Sequence, residues 1–154
     1  MKILKGDLIQ LALSGEFDVI IHGCNCFCSM GAGIAQQIRK AFPLAFQADL
    51  ETGSGNRTKL GTYSSTIVKS SKKPLTIING YTQYHYSGSR VLADYDAIAV
   101  LFSQVKMIFS GKKIGYPRIG AGLAGGDWEK ICKIIDHQLT GEDHTLVESL
   151  SLQK

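Results

Sequence analysis

The chain has 154 residues, 44% of them hydrophobic and 19% charged, with a formal net charge of +4. That length suits a single domain spanning residues 1–154, large enough to fold without disulfides or a structural metal. No stretch reaches the ~18–20 consecutive apolar residues of a membrane span, the mild dispersed charge does not form a nucleic-acid footprint, and the 17 glycines follow no repeat, which excludes collagen-like and low-complexity readings.

Residues 1–5 read as a short strand. Gly6 and Asp7 turn the chain into a weak helix over residues 8–13. Lys5, Asp7 and Glu16 interrupt the N-terminal apolar stretch, so it does not read as a secretory leader. Residues 17–22 form an apolar run ending in His22, the pattern of a buried central strand. Residues 23–33, rich in small side chains, read as a loop. Ile34, Ile38, Ala41 and Phe42 then share one helical face. Pro43 ends that helix and opens another, to about Thr52.

Residues 52–58 read as a flexible polar loop, and residues 61–68 and 75–81 as strands around the turn at 70–74. An aromatic loop covers residues 81–90. Asp94 caps a helix whose inner face carries Ile98, Leu101, Phe102, Val105, Ile108 and Phe109, with Gly111 as its stop. Residues 113–116 form a short strand and residues 117–126 a second glycine-rich loop. Asp127 caps a last helix with the stripe Trp128, Ile131, Ile135 and Leu139. Residues 144–150 close the chain as a strand. This alternation predicts an α/β fold: a three-layer α/β/α sandwich around a central mixed sheet of about six strands. Without a coiled coil or a long exposed apolar stripe, a monomer is expected.

Four cysteines are present, and Cys24, Cys26 and Cys28 crowd into five residues, too close for a disulfide framework. Reduced thiols and a cytoplasmic location are the expectation. Their alternate spacing does not match zinc-site pairs, so no metal is expected. Loop packing is the plain reading, and a reactive thiol the other.

Both glycine-rich loops lie between a strand and a helix. Glycine lets backbone N–H groups approach phosphate oxygens, and a helix N-terminus behind the loop adds partial positive charge. Two such loops at strand ends could grip a diphosphate from opposite sides. Neither has the Gly-Lys-Ser/Thr of a P-loop, and the first lacks the dinucleotide fingerprint.

Three strings carry a resemblance along almost the whole chain. They are Gly6-Asp7-Leu8 after the first strand, Val19-Ile20-Ile21-His22-Gly23-Cys24-Asn25 leading into Met30-Gly31-Ala32-Gly33-Ile34-Ala35, and Pro117-Arg118-Ile119-Gly120-Ala121-Gly122-Leu123. In order and spacing the chain resembles the macrodomain (Appr-1''-p processing) family. Within it, the chain resembles the terminal ADP-ribose protein glycohydrolase branch and the yeast ADP-ribose-1''-phosphate phosphatase, which shares His22-x-Cys24-Asn25-Cys26.

The resemblance implies ADP-ribose binding without a cofactor. Asp7 would accept from the adenine amino group and the Leu8 backbone would touch the ring. Asn25 would bond the distal ribose. Met30, Gly31, Ala32, Gly33, Ile34 and Ala35 would wrap that ribose and the diphosphate. Arg118, Ile119, Gly120, Ala121, Gly122, Leu123 and Ala124 would close the other side, and Leu150 would pack on adenine. Thr82 would also contact the ligand; the chain departs from the glycohydrolase branch where Gln83 follows it in place of a lysine, and where Ala124 replaces an aspartate. It departs from the yeast phosphatase where Gly120 replaces an acidic residue.

Two residues are candidate acid/base groups. His22 would activate water or protonate the leaving group, or is a core histidine bonded to backbone. Asp127 would orient water, or only caps its helix. Tyr81, Tyr84, His85 and Tyr86 suggest a lid or surface packing rather than a nucleic-acid platform. The expected function is hydrolysis of ADP-ribose-1''-phosphate by His22 with Asp127. The alternatives are an ADP-ribosyl hydrolase acting on modified protein or nucleic acid, and a non-catalytic reader of ADP-ribosylated macromolecules.

Overall fold

The computed structural model describes residues 1–88 and 90–150. Ser89, within the aromatic loop, and residues 151–154, the end of the expected domain, lie outside the described residues. The strands are β1 (Lys2–Lys5), β2 (Val19–Cys24), β3 (Tyr63–Lys69), β4 (Pro74–Tyr81), β5 (Ile114–Tyr116) and β6 (His144–Glu148). The helices are α1 (Leu8–Leu13), α2 (Gly33–Ala41), α3 (Pro43–Leu50), α4 (Tyr95–Phe109) and α5 (Trp128–Gln138).

The six strands form one sheet in the order β1-β6-β5-β2-β4-β3. Neighbours run parallel except β3, which pairs antiparallel with β4. The sheet is therefore mixed, as expected. Alternation along the central strands divides the core in two. Val19 and Ile21 of β2 and Ile78 of β4 face α4 and α5, joining Ile98, Leu101, Phe102, Ile131 and Ile135. Ile20 and Cys24 of β2 and Ile77 and Tyr81 of β4 face α1, α2 and α3, joining Leu8, Ile38 and Ala45. A sheet covered on both faces explains why β2 reads as a continuous apolar run.

The expected helix caps are present. Asp94 accepts from the Ala97 N–H and Asp127 from the Glu129 N–H. Three boundaries differ. Part of the expected flexible loop is a 3-10 turn at Arg57–Lys59, held by the Asn56 side chain, which accepts from the Thr58 N–H at 2.9 Å. The last strand ends at Glu148, leaving Leu150 outside it and 62% exposed. The third difference bears on the site. β2 starts at Val19 and runs two residues past His22, because Gly23 and Cys24 pair with Gly80 and Tyr81 of β4. His22 is therefore an interior strand residue, held between sheet and helices, and not the last residue before a loop.

Candidate functional site

Five of the six strands point the same way, so the C-terminal ends of β1, β6, β5, β2 and β4 lie along one edge of the sheet. A cleft of about 970 Å³ runs along that edge. Its two walls are the segments that follow β2 and β5, which are adjacent strands. This is where ligands commonly settle on open α/β sheets.

The wall after β2 is built by Asn25, whose Oδ1 accepts from the Phe27 N–H at 2.8 Å and whose Nδ2 donates to Ser29 Oγ at 2.7 Å. Cys28 and Met30 adopt positive φ, 57° and 37°, an uncommon conformation for side-chain-bearing residues that clusters at ligand clamps. The buried Met30 side chain anchors the strained turn in the core. The next helix, α2, starts at an N-cap, Ala32, that has no side chain able to cap it. The N–H groups of Gly31, Ala32, Gly33, Ile34 and Ala35 consequently have no acceptor among the described residues.

The wall after β5 is a closed loop. The Gly126 N–H donates to the Gly120 carbonyl at 2.7 Å. A Cβ on Gly126 would sit 2.4 Å from that carbonyl oxygen, and Gly120 has φ +75°, so both positions require glycine. The Ala124 carbonyl ties the loop down by accepting from the Leu92 N–H at 2.8 Å. The N–H groups of Gly120, Gly122, Leu123 and Ala124 have no acceptor among the described residues. The walls thus present two facing rows of unpaired backbone donors, a fixed partial positive charge suited to an anion.

One end of the cleft holds Asp7, Leu8, Val147, Glu148 and Ser149. Asp7 accepts from the Gln10 N–H at 3.0 Å through Oδ1; it both caps α1 and faces the cleft. Glu148 is ion-paired with Arg118, which neutralises that guanidinium. The opposite end holds Asn25, Gln37, Asp49, Gln83 and Tyr86.

Most of the expected site residues therefore line one cleft: Asp7, Leu8, Asn25, Met30 to Ala35 and Arg118 to Ala124. Four do not. His22 is buried in the layer between the sheet and α1–α3, with Nε2 2.7 Å from Asn79 Oδ1, and burial pulls its pKa down to about 4. Its expected position beside the ligand is corrected by the extension of β2. Asp127 spends its carboxylate on the Glu129 N–H at 3.0 Å and gives its own N–H to the Tyr95 hydroxyl. Thr82 is buried behind Gly23, where a Cβ would come within 2.6 Å of Thr82 Oγ1. Leu150 lies beyond the last strand.

Asp49, on α3, is the functional candidate that the sequence reading missed. It reaches the cleft wall yet is fully buried. Its Oδ1 accepts from the Tyr81 hydroxyl at 2.7 Å, while its Oδ2 is buried with no partner among the described residues. Burial raises its pKa, against the lowering effects of Tyr81 and the Lys59 ammonium. A signal existed in the sequence. Phe42, Ala45 and Asp49 are spaced by three and four, so a carboxylate interrupts the buried stripe of a helix.

Two of the three clustered thiols hold the loop, and Cys24 packs in the core beside His22. Cys26 Sγ donates to the Gln83 carbonyl at 3.5 Å and Cys28 Sγ to the Asp49 carbonyl at 3.1 Å. Burial, with the Asp49 charge behind it, pushes the Cys24 thiol up. Among the described residues no three His, Cys, Asp or Glu side chains converge on a metal site. Tyr84, His85 and Tyr86 pack around Phe27, and of these only Tyr86 reaches the cleft, 56% exposed.

The Macro domain family pattern matches residues 21–135, from within β2 through most of α5 and across both glycine loops. The chain belongs to the macrodomain family. This macrodomain is 37% identical over 141 residues to an uncharacterized 17.5 kDa protein of Enterobacteria phage T4, covering 88% of each chain. It is 28% identical to the ADP-ribose 1''-phosphate phosphatase of Candida albicans, over 84% of this chain and 87% of that one. It is 26% identical to the DNA ADP-ribosyl glycohydrolase of Mycobacterium bovis, covering 82% of this chain and 35% of that longer protein. The macrodomain of Thermus aquaticus DarG superposes with a TM-score of 0.72 at 21% identity, over 96% of this chain and 95% of that one, which shows the shared fold.

Proposed function

We propose that this macrodomain binds ADP-ribose and hydrolyses ADP-ribose-1''-phosphate to ADP-ribose and phosphate. The observation that carries this reading is the pair of facing rows of unpaired N–H groups along one cleft, a cradle for a diphosphate. Adenine then lies at the Asp7 and Leu8 end, and the second ribose at the Asn25 end. In the reaction, water adds to the terminal phosphorus, the bond from phosphorus to the C1'' oxygen breaks, and that oxygen leaves with a proton. Backbone donors of the two rows that the diphosphate leaves free would stabilise charge developing on the terminal phosphate without reorganising during the step.

Two observations favour a phosphatase over a lysine-dependent glycohydrolase. Gln83 occupies the cleft wall where the glycohydrolase branch has its lysine, and its Nε2 is spent on the His85 carbonyl at 2.8 Å. An amide cannot form a Schiff base. The Candida albicans phosphatase also aligns along nearly its whole length. His22 does not line the cleft, so in this reading it positions its partners through Asn79 and is not itself the acid/base group. Asp127 contributes by fixing where the second loop ends.

Calorimetric titration with ADP-ribose, followed by phosphate release from ADP-ribose-1''-phosphate, tests the reading. Binding with release is the expected result. Binding without release moves the function to an ADP-ribosyl hydrolase or a reader, which labelled ADP-ribosylated protein and DNA then separate. An absence of binding removes the proposal altogether.

A further inference from the structure

A continuous line of hydrogen bonds leads from His22 to Asp49, and its direction is fixed by its branches. The Ala45 carbonyl can only accept, and Asn79 Nδ2 lies 2.8 Å from it. That settles the orientation of the Asn79 amide. Nδ2 gives its other proton to Ser64 Oγ at 3.0 Å, and Oδ1 faces His22 Nε2 at 2.7 Å. His22 must therefore donate, which makes it the Nε2–H tautomer. Ser64 and the Tyr81 hydroxyl are 2.8 Å apart, and Tyr81 donates to Asp49 Oδ1 at 2.7 Å, so Ser64 donates to Tyr81. Every bond points the same way: His22 to Asn79, Asn79 to Ser64, Ser64 to Tyr81, Tyr81 to Asp49.

The line ends at the cleft with one oxygen unused. Asp49 Oδ2 is the only carboxylate oxygen among the described residues that is buried without a partner. Native structures rarely leave such an atom unpaired unless a ligand or water serves it. An ionised Asp49 disfavours a phosphate there, because a phosphate oxygen is an acceptor at neutral pH and meets a carboxylate with repulsion. A sugar hydroxyl both donates and accepts, and pairs with this oxygen whether Asp49 is ionised or protonated. Asp49 is also at the correct end. Between β1, beside Asp7, and β4, beside Asp49, lie four strand spacings of about 4.8 Å, roughly 19 Å in all.

We propose that Asp49 forms the floor of the subsite for the terminal ribose, hydrogen-bonding one of its hydroxyls through Oδ2, with Tyr81, Ser64, Asn79 and His22 as positioning residues behind it. The proposal rests on the reading that the cleft takes ADP-ribose. It links a fully buried histidine to a site it does not touch.

The test compares ADP-ribose with ADP, which lacks the terminal ribose, by calorimetry on the full chain. Asp49→Asn keeps an acceptor for Tyr81 and replaces the unpartnered Oδ2 by a neutral amide nitrogen that only donates, so the charge-assisted bond to the hydroxyl is lost. Its affinity for ADP-ribose is expected to fall about tenfold while its affinity for ADP stays at the wild-type value. Unchanged affinity for both ligands overturns the proposal, as does an equal loss for both in a variant that still melts cooperatively. Should Asp49→Asn fail to fold, Tyr81→Phe decides. It removes one donor and retains the ring, and a several-fold loss confined to ADP-ribose is expected; no difference between the ligands overturns the proposal. A wild-type chain that binds neither ligand defeats the ADP-ribose reading itself, and the Asp49 assignment with it.

Discussion

His22 illustrates how one residue can be identified correctly in a motif and still occupy an unexpected place. The string around it resembles a catalytic segment, but pairing of Gly23 and Cys24 with β4 carries the strand past it. No periodicity in a six-residue strand announces where pairing stops. Its burial has a measurable consequence. The folded pKa is about 4 against 6.5 for the free side chain, so between these values the unfolded chain binds more protons than the folded one. Stability from this residue is complete above about pH 6.5 and is lost as pH falls through about 4, about 3 kcal/mol in all. His144, whose pKa is also lowered by burial, adds to the same slope. Urea unfolding at pH 4.5 to 7 is expected to show a flatter profile for His22→Gln than for wild type, and the difference isolates His22. Parallel profiles would show that His22 takes up its proton in the folded chain as readily as in the unfolded one.

At the scale of elements, caps and breakers were readable because they act locally. Asp94 and Asp127 cap the helices assigned to them, and Pro43 opens α3. The two glycine loops were readable for the same reason. Asp49, Lys59 and Asn79 were not, since each is an ordinary polar residue whose burial depends on partners far along the chain. Lys59 is buried because its ammonium finds the Gly53 carbonyl at 2.7 Å and lies 4.4 Å from the Tyr81 ring centre. The uncapped start of α2 sets stability against binding. Ala32 has extended backbone, φ −150°, ψ 160°, compatible with an aspartate cap. Ala32→Asp is expected to stabilise the chain by about 1 kcal/mol, raising Tm by about 2–4 °C. The same carboxylate occupies the donors offered to phosphate, and affinity for ADP-ribose is expected to fall at least roughly tenfold. Calorimetric scanning and titration of one sample read both effects. A variant that is stabilised and still binds as wild type would show that α2 does not hold the anion.

At the scale of the whole molecule, alternation of strands and helices was enough to foresee a mixed sheet between two helical layers. Strand order was not foreseeable, because local pattern does not record which strands become neighbours. That order makes the sheet two three-stranded halves, β1-β6-β5 and β2-β4-β3, meeting where β5 lies against β2. β5 has only three residues, and the seam is in register only at Val19 with Ile114 and Ile20 with Gly115. The two glycine loops leave the sheet on opposite sides of this seam. An anion gripped by both therefore spans it and acts as a clasp, so that separating the halves requires releasing the ligand first. Binding stabilises only the closed state, and amide hydrogen exchange on β2 and β5 is expected to slow with saturating ADP-ribose far more than on the outer strand β3. A cleft that recognises a diphosphate in this way also makes the ligand a mechanical part of the domain, and gives an occupied molecule a longer lifetime against proteolysis than an empty one.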